Sequence, residues 1–99
     1  NKENKEGETP LHRACSWEHL DIIKVLVENG ADINKGNRIG GTPLHGVCRG
    51  NNKYLVKYLI ENGGDVNKKD EQGKTPLLEA CNKNNVEIIK TIFETGVNI

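Results

Sequence analysis

The sequence contains few aromatic residues and no long hydrophobic segment, and both absences limit what the chain can be. Only 34% of its 99 residues are hydrophobic and 4% are aromatic, and the mean hydropathy is −0.66. No apolar run approaches the roughly 18 residues that indicate a membrane-spanning helix. Such a composition supports only a thin core, which suits a narrow stacked solenoid better than a globule with one closed core. We therefore predict no membrane span.

The chain also lacks an excess of charge of either sign. Lysine and arginine total 14 and aspartate and glutamate also total 14, so the formal net charge is zero. A balanced surface argues against general binding to nucleic acid or to a membrane surface, because both depend on excess positive charge. No Asn-X-Ser/Thr sequon and no signal peptide is visible.

What the sequence does contain is a fixed period of 33 residues. Thr-Pro-Leu occurs at residues 9–11, 42–44 and 75–77. The aligned copies share further residues at equivalent positions, among them Gly7, Gly40 and Gly73, and Cys15, Cys48 and Cys81. A period of this size indicates an array of one small unit that works through an extended surface. We predict a single domain over residues 1–99, with repeats at 1–33, 34–66 and 67–99, taken from a longer array.

Each copy predicts two short helices and a turn-rich connection. The threonine of each Thr-Pro-Leu is an N-cap candidate, and the proline suits the first helical position. The first helices are predicted at residues 11–15, 44–48 and 77–81. The second helices carry apolar residues at helical spacing and are predicted at residues 20–29, 53–62 and 86–95. A glycine at the left-handed position ends each second helix, at Gly30, Gly63 and Gly96.

These features together resemble the ankyrin repeat. The 33-residue period, Thr-Pro-Leu-His at 9–12 and 42–45, and Asn-Gly-Ala-Asp-Ile-Asn at 29–34 are similar to that family over the whole chain. The resemblance implies an all-α solenoid of stacked antiparallel helix pairs with short β-hairpin-like finger loops. It also implies protein binding on a concave face made by the fingers and first helices, without catalysis.

The chain departs from the family pattern at several positions. Leu78 replaces the motif histidine that His12 and His45 supply in the other copies. Gly46 lies inside a first helix, where it costs about 1 kcal/mol relative to alanine. Asn51 and Asn84 stand where the family usually has glycine, and asparagine tolerates a left-handed backbone there.

The family's variable positions, at the finger tips and the ends of the first helices, supply candidate contact residues. Trp17 is the only tryptophan, a residue enriched at interface hot spots, and it either contacts a partner or lies flat against its own repeat. Ile39 is apolar at an expected finger tip, and Arg38 and Arg49 beside it are candidates to receive a carboxylate. The full predicted protein-binding set is Lys5, Glu6, Glu8, Ser16, Trp17, Arg38, Ile39, Gly41, Arg49, Gly50, Glu71, Gln72, Lys74, Asn82 and Lys83.

Cysteine and histidine admit chemical roles that we weigh against structural ones. Equivalent cysteines of stacked repeats lie about 8–10 Å apart, beyond the Cα separation of about 7 Å that a disulfide allows. We predict reduced thiols that fill small apolar sites, and hence an intracellular, preferably cytoplasmic, protein. A zinc interpretation would use His12, Cys15 and His19 as ligands, but a zinc site needs four well-spaced ligands. We therefore predict structural histidines, with no metal and no cofactor.

Three functions remain open at this point. The preferred one is a binding module that docks a protein partner of unknown identity on its concave face, with no nucleic acid, membrane or metal involved. The alternative is a structural spacer or scaffold segment within a larger multi-repeat protein. The third is a set of repeats attached to a catalytic domain outside residues 1–99. Nothing within the sequence supports catalysis, so we predict that the chain is not an enzyme.

Overall fold

Three pairs of short α-helices make up the fold in a computed structural model that describes residues 3–95. The helices are α1 Pro10–Ser16, α2 Leu20–Glu28, α3 Pro43–Cys48, α4 Lys53–Glu61, α5 Pro76–Asn82 and α6 Val86–Glu94. Each begins within one residue of its predicted start, and no β-strand occurs within residues 3–95. The predicted all-α class is confirmed. Gly96, the predicted end of α6, lies outside the described residues.

Each first helix starts at a Thr-Pro step that fixes its position in the sequence. The Thr9 hydroxyl accepts a hydrogen bond from the His12 N–H, and Pro10 occupies the first helical position, where no N–H is needed. The other two copies repeat this cap. The His12 ring closes the cap from the other side, because its Nδ1 accepts from the Thr9 N–H at 3.1 Å. Helices this short do not persist alone in water, so caps and packing must hold them.

The motif histidines also join each repeat to the next. The Nε2–H of His12 donates to the Gly41 carbonyl at 2.8 Å, and that of His45 donates to the Lys74 carbonyl at 2.8 Å. Nδ1 accepts from a backbone N–H in both rings, so Nε2 carries the proton of the neutral imidazole. Both rings are buried with both nitrogens satisfied, which accounts for them structurally. No group of three metal-ligating side chains occurs in the described part of the chain.

The helices pack in two layers around one continuous core. Helices α1, α3 and α5 lie side by side, each first helix packs on its own second helix, and α4 packs on α6. The most deeply buried aliphatic residues of the second helices come from the predicted apolar stripes: Ile23, Leu55, Val56, Leu59, Ile88 and Ile92. Each such side chain contributes about 1.5–3 kcal/mol through burial. No helix within residues 3–95 combines the length and the apolar character that a bilayer crossing requires.

The turn after the first helix differs between repeats. Glu18 and Asn84 adopt a left-handed backbone, with φ of +57° and +55°. Asn51 does not, although its position matches theirs. The Asn85 side-chain amide instead holds this turn from the third repeat, donating to the Gly50 carbonyl and to Asn51 Oδ1 at 2.8 Å each. The middle turn is therefore shaped by its neighbour as well as by its own residues.

The three cysteines do not share one environment. Cys15 and Cys48 are 2% and 0% exposed, and burial raises the pKa of both thiols to about 12. The nearby Glu79 carboxylate adds to this effect at Cys48, and Arg49 opposes it. Cys81 is exposed, so the prediction that it fills an apolar site is wrong. The reason is that α3 covers α1 and α5 covers α3, whereas no described helix covers the equivalent side of α5.

Candidate functional site

The finger loops are built by one repeated set of hydrogen bonds. A side-chain oxygen at the start of each finger accepts two backbone N–H groups, as when Asn37 Oδ1 accepts from Ile39 at 3.0 Å and Gly41 at 2.9 Å. The Asn37 N–H also donates to the Gly41 carbonyl at 2.9 Å. Asn4 and Asp70 do the same in the other fingers. We did not single out these residues from the sequence, although asparagine or aspartate at one position of every period was the available signal.

Backbone hydrogen bonds also link neighbouring fingers. The Arg38 N–H donates to the Glu6 carbonyl at 2.9 Å, and the Glu71 N–H donates to the Ile39 carbonyl at 2.8 Å. This connection fixes the distance between finger tips and presents their side chains as a regular row. Six of the predicted contact residues stand exposed in that row: Lys5, Glu6, Arg38, Ile39, Glu71 and Gln72.

A groove separates the second finger from helices α1 and α3. It brings together five of the predicted residues, namely Glu8, Ser16, Ile39, Gly41 and Arg49. Ile39 is 54% exposed on the finger side of the groove. Gly46 of α3 leaves the floor of the groove unfilled, because a Cβ placed there would meet only Arg49 Nη2, at 4.0 Å. The glycine that the sequence suggested as a cost to the helix therefore leaves space in this groove.

An ion pair between two repeats borders this groove. Arg49 Nη1 lies 2.9 Å from Glu79 Oε2, and the Glu79 side chain is only 7% exposed whereas that of Arg49 is 50% exposed. Removing one partner of such a pair leaves a charge in a poorly solvated place, which is costly. Arg49 therefore already holds an internal carboxylate. The predicted role of receiving a partner's carboxylate is better suited to Arg38, which is exposed.

Trp17 lies at the end of α1 and is 58% exposed. The Arg13 guanidinium stands over its indole ring, 4.9 Å from the centroid, and the His19 ring lies 5.9 Å away. Arg13 Nη1 also lies 3.8 Å from Glu8 Oε1, so the side chains of Glu8 and Arg13 connect the groove to the indole. Trp17 touches its own repeat through Arg13 and His19, yet it keeps more than half of its surface available for contact.

The remaining predicted residues differ in accessibility. Asn82 and Lys83 are exposed at the end of α5, whereas Lys74 and Gly50 are half-buried. Gly41 is buried, and its carbonyl and N–H are occupied by the His12 ring and the Asn37 side chain. Gly41 shapes the groove through its backbone and presents no side chain to a partner.

The groove carries negative charge next to the internal ion pair. Burial acts to raise the pKa of Asp70, but lowering effects, of which hydrogen bonds from the N–H groups of Lys74 and Gln72 are the largest, leave the pKa below its ordinary value. Asp70 is therefore ionised at neutral pH and lines the groove together with Glu8.

Comparison with known proteins identifies the repeated unit. A family described as "Ankyrin repeats (3 copies)" matches residues 34–99, and one described as "Ankyrin repeats (many copies)" matches residues 1–27 and 11–53. Alpha-latrocrustotoxin-Lt1a of Latrodectus tredecimguttatus is 53% identical over 34 residues, which are 34% of this chain and 2% of that protein. Ankyrin repeat-containing protein P1E11.10 of Schizosaccharomyces pombe is 50% identical over 34 residues, 34% of this chain and 16% of that protein. The aligned segment spans only a small part of either relative.

Proposed function

The chain belongs to the ankyrin-repeat family, and from this premise we propose that it binds a protein partner on its concave face without performing chemistry on that partner. The observation that carries the proposal is the pairing of Ile39, 54% exposed at a finger tip, with the open floor at Gly46. Contiguous apolar surface with a polar rim is typical of protein interaction sites, and Ile39 lines a groove together with polar side chains. The family as a whole mediates protein interactions, and the concave face of this chain is our specific assignment.

Rigid support of the contact residues favours this surface. Ile39 projects from a finger that is held to both neighbouring fingers by backbone hydrogen bonds. Trp17 follows a helix whose start is fixed by the Thr9–His12 cap. Binding through such preorganised elements costs little further backbone entropy, because the backbone that carries the contact residues is already ordered.

The chemistry of the surface describes the partner. An apolar side chain of the partner would enter the groove between Ile39 and Gly46, and a second apolar contact would cover Trp17. The ionised Asp70 and the carboxylate of Glu8 favour a basic residue beside the first anchor, whereas Arg38 favours an acidic residue at the finger tip. Area alone would not set the affinity, since a few anchors dominate most interfaces.

The test compares variants that alter the proposed face with variants that alter other exposed apolar residues. Trp17→Ala and Ile39→Asp are paired with Tyr54→Ala and Val86→Asp as controls, because Tyr54 and Val86 are 69% and 56% exposed but line no part of the groove. We expect a protein captured from native extract by the parent chain to be retained by the controls and lost from the first two variants. Equal capture by all four variants would show that the concave face is not the contact surface.

A structural spacer is the second candidate function, in which the contacts that matter are those between repeats. It is favoured by apolar side chains exposed at both ends of the stack, such as Ile22 and Leu78. In that case the substitutions of Trp17 and Ile39 would leave every interaction of the protein unchanged. The reduced thiols of either arrangement support an intracellular, cytoplasmic setting.

A further inference from the structure

We propose that a groove along helices α4 and α6 is a second docking surface, and that it takes an acidic segment of a protein. This α4–α6 groove has a volume of about 440 Å³. It is lined by side chains of the two helices and by Thr95 directly after α6. It shares no lining residue with the groove between the second finger and helices α1 and α3. The proposal therefore does not depend on the proposed function.

A small side chain leaves room for the α4–α6 groove. Thr91 lines it from α6, at the position that Tyr58 occupies in the preceding repeat. The Thr91 hydroxyl donates to the Glu87 carbonyl at 2.8 Å, so the side chain is held against its own helix. Because a tyrosine ring is much larger than a threonine side chain, a tyrosine at this position would fill part of the groove.

Further repeats before or after the described residues would leave the α4–α6 groove open. Tyr54 and Lys57 belong to the middle repeat, which has a neighbour on both sides, and both are exposed. Lys90 belongs to the third repeat, and its equivalent Lys57 is exposed although a repeat follows it. The same holds for Glu94 and its equivalent Glu61. Exposure at these positions is therefore a property of the second helices, whatever the place of a repeat in the array.

The charges of the groove favour a partner with carboxylates. Lys53 Nζ lies 3.5 Å from Glu87 Oε1, so these two charges offset each other. Neither Lys57 nor Lys90 pairs with a carboxylate among residues 3–95. They occupy equivalent positions on two packed helices, which lie about 8–10 Å apart, so their ammonium groups can reach one acidic side chain between them. Glu94 follows Lys90 by four residues, which is the weaker order for a helical pair.

Tyr54 supplies an aromatic wall beside the lysines. Its side chain lines the groove and is 69% exposed. Asn52 Oδ1 accepts from the Tyr54 N–H at 3.1 Å, which fixes the backbone that carries the ring. Because tyrosine is enriched in protein interfaces, the partner segment is expected to carry an apolar or aromatic residue next to its acidic ones. A partner held on the concave face does not depend on Tyr54, which lies outside that groove.

The two glutamates favour an acidic protein segment over a nucleic acid. Glu87 is the second residue of α6 and Glu94 is the last, so a carboxylate lies near each end of the groove on this helix. A nucleic acid carries a charge on every phosphate and would meet both carboxylates. A protein segment can instead place its acidic side chains between them, beside Lys57 and Lys90.

The experiment measures the binding of a fluorescently labelled copolymer of glutamate and tyrosine by fluorescence anisotropy. Lys57→Gln combined with Lys90→Gln removes both unpaired charges, and Thr91→Tyr fills the groove. Lys24→Gln combined with Lys69→Gln is the matched control, because it removes the same charge at exposed lysines outside the groove. Lys24 also has the position on α2 that Lys57 has on α4. Circular dichroism checks that each variant folds, and the lysine variants decide the question if Thr91→Tyr does not.

We expect binding to weaken by about tenfold or more in the Lys57/Lys90 double variant and in folded Thr91→Tyr, and by less than about threefold in the control. A parent that does not bind the copolymer would overturn the proposal, and so would equal weakening in the control, which would indicate attraction by net charge alone. Unchanged affinity of folded Thr91→Tyr, or tighter binding of a single-stranded oligonucleotide, would also overturn it. Trp17→Ala is expected to bind the copolymer like the parent. A loss in that variant would assign the acidic segment to the concave face, which contradicts this proposal and leaves the proposed function intact.

Discussion

Replacing Gly46 with alanine is expected to stabilise the fold and to narrow the concave groove at the same time. Gly46 lies within α3, the six-residue helix Pro43–Cys48. Glycine in a helix interior is about 1 kcal/mol less favourable than alanine, because it loses more backbone entropy on folding. The only atom a Cβ would meet there is Arg49 Nη2, at 4.0 Å, which is an ordinary contact with a flexible side chain. The full propensity gain should therefore be realised.

The gain is large enough to measure in a chain of this size. A change of about 1 kcal/mol raises Tm by roughly 4–8 °C in a domain of 60–100 residues. Urea denaturation followed by circular dichroism and by the fluorescence of Trp17 gives the free energy of unfolding. Gly40→Ala is the matched control, because Gly40 has φ of +80° and a Cβ there would lie 3.1 Å from the Asp70 Cα. That variant is expected to lose stability.

Two results would refute this reasoning at different steps. A loss of stability in Gly46→Ala would mean that α3 is not surrounded by the open space described here. A gain of stability with unchanged partner binding would support the helix-propensity argument but would show that the groove is not part of the contact surface. The expected outcome is greater stability together with weaker binding, since the added methyl group occupies the groove floor beside Ile39.

Two further predictions concern buried groups of the fold. His45→Leu removes a ring that satisfies polar groups in its own cap and in the next finger, so urea denaturation should show that the free energy of unfolding falls by about 2–4 kcal/mol. Leu78→His should lower it only slightly. Equally small effects of both substitutions would contradict the role of His45 between repeats. At pH 8 a thiol reagent should modify Cys81 rapidly and the other two thiols slowly, and three equal rates would contradict the burial of Cys15 and Cys48. The pKa of Cys15 and of Cys48 in the folded chain is about 12, above the ordinary 9.0. Their contribution to the free energy of unfolding is therefore fully present below about pH 9 and is lost as the pH rises towards about 12.

The period predicted the helices well because their local determinants recur in every copy. The Thr-Pro step, the apolar stripe and the glycine after the second helix act within one repeat, so the sequence of that repeat is sufficient. Burial was predicted less well, because it depends on the neighbouring repeat. Cys81 is equivalent to Cys15 by sequence and different from it by environment, since α3 covers α1 but no described helix covers that side of α5.

The repeat pattern could not predict the ion pair between Arg49 and Glu79. The two residues are 30 positions apart, and neither has a counterpart of the same charge and role in the other repeats. The position of Arg49 is occupied by Ser16 and Asn82 in the other copies, and that of Glu79 by Arg13 and Gly46. A contact made once between two non-repeating positions leaves no periodic signal.

The non-repeating residues are therefore the ones from which the function of this array has to be argued. Asn4, Asn37 and Asp70 make the same pair of backbone hydrogen bonds in their fingers, with distances of 2.9–3.0 Å. Because an amide is sufficient for the turn in two fingers, the negative charge of Asp70 is not required by the third. That charge lines the groove that also contains Gly46 and Arg49. Positions that every copy shares maintain the stack, whereas the non-repeating Gly46, Arg49 and Asp70 line one groove, so partner selection is best sought there.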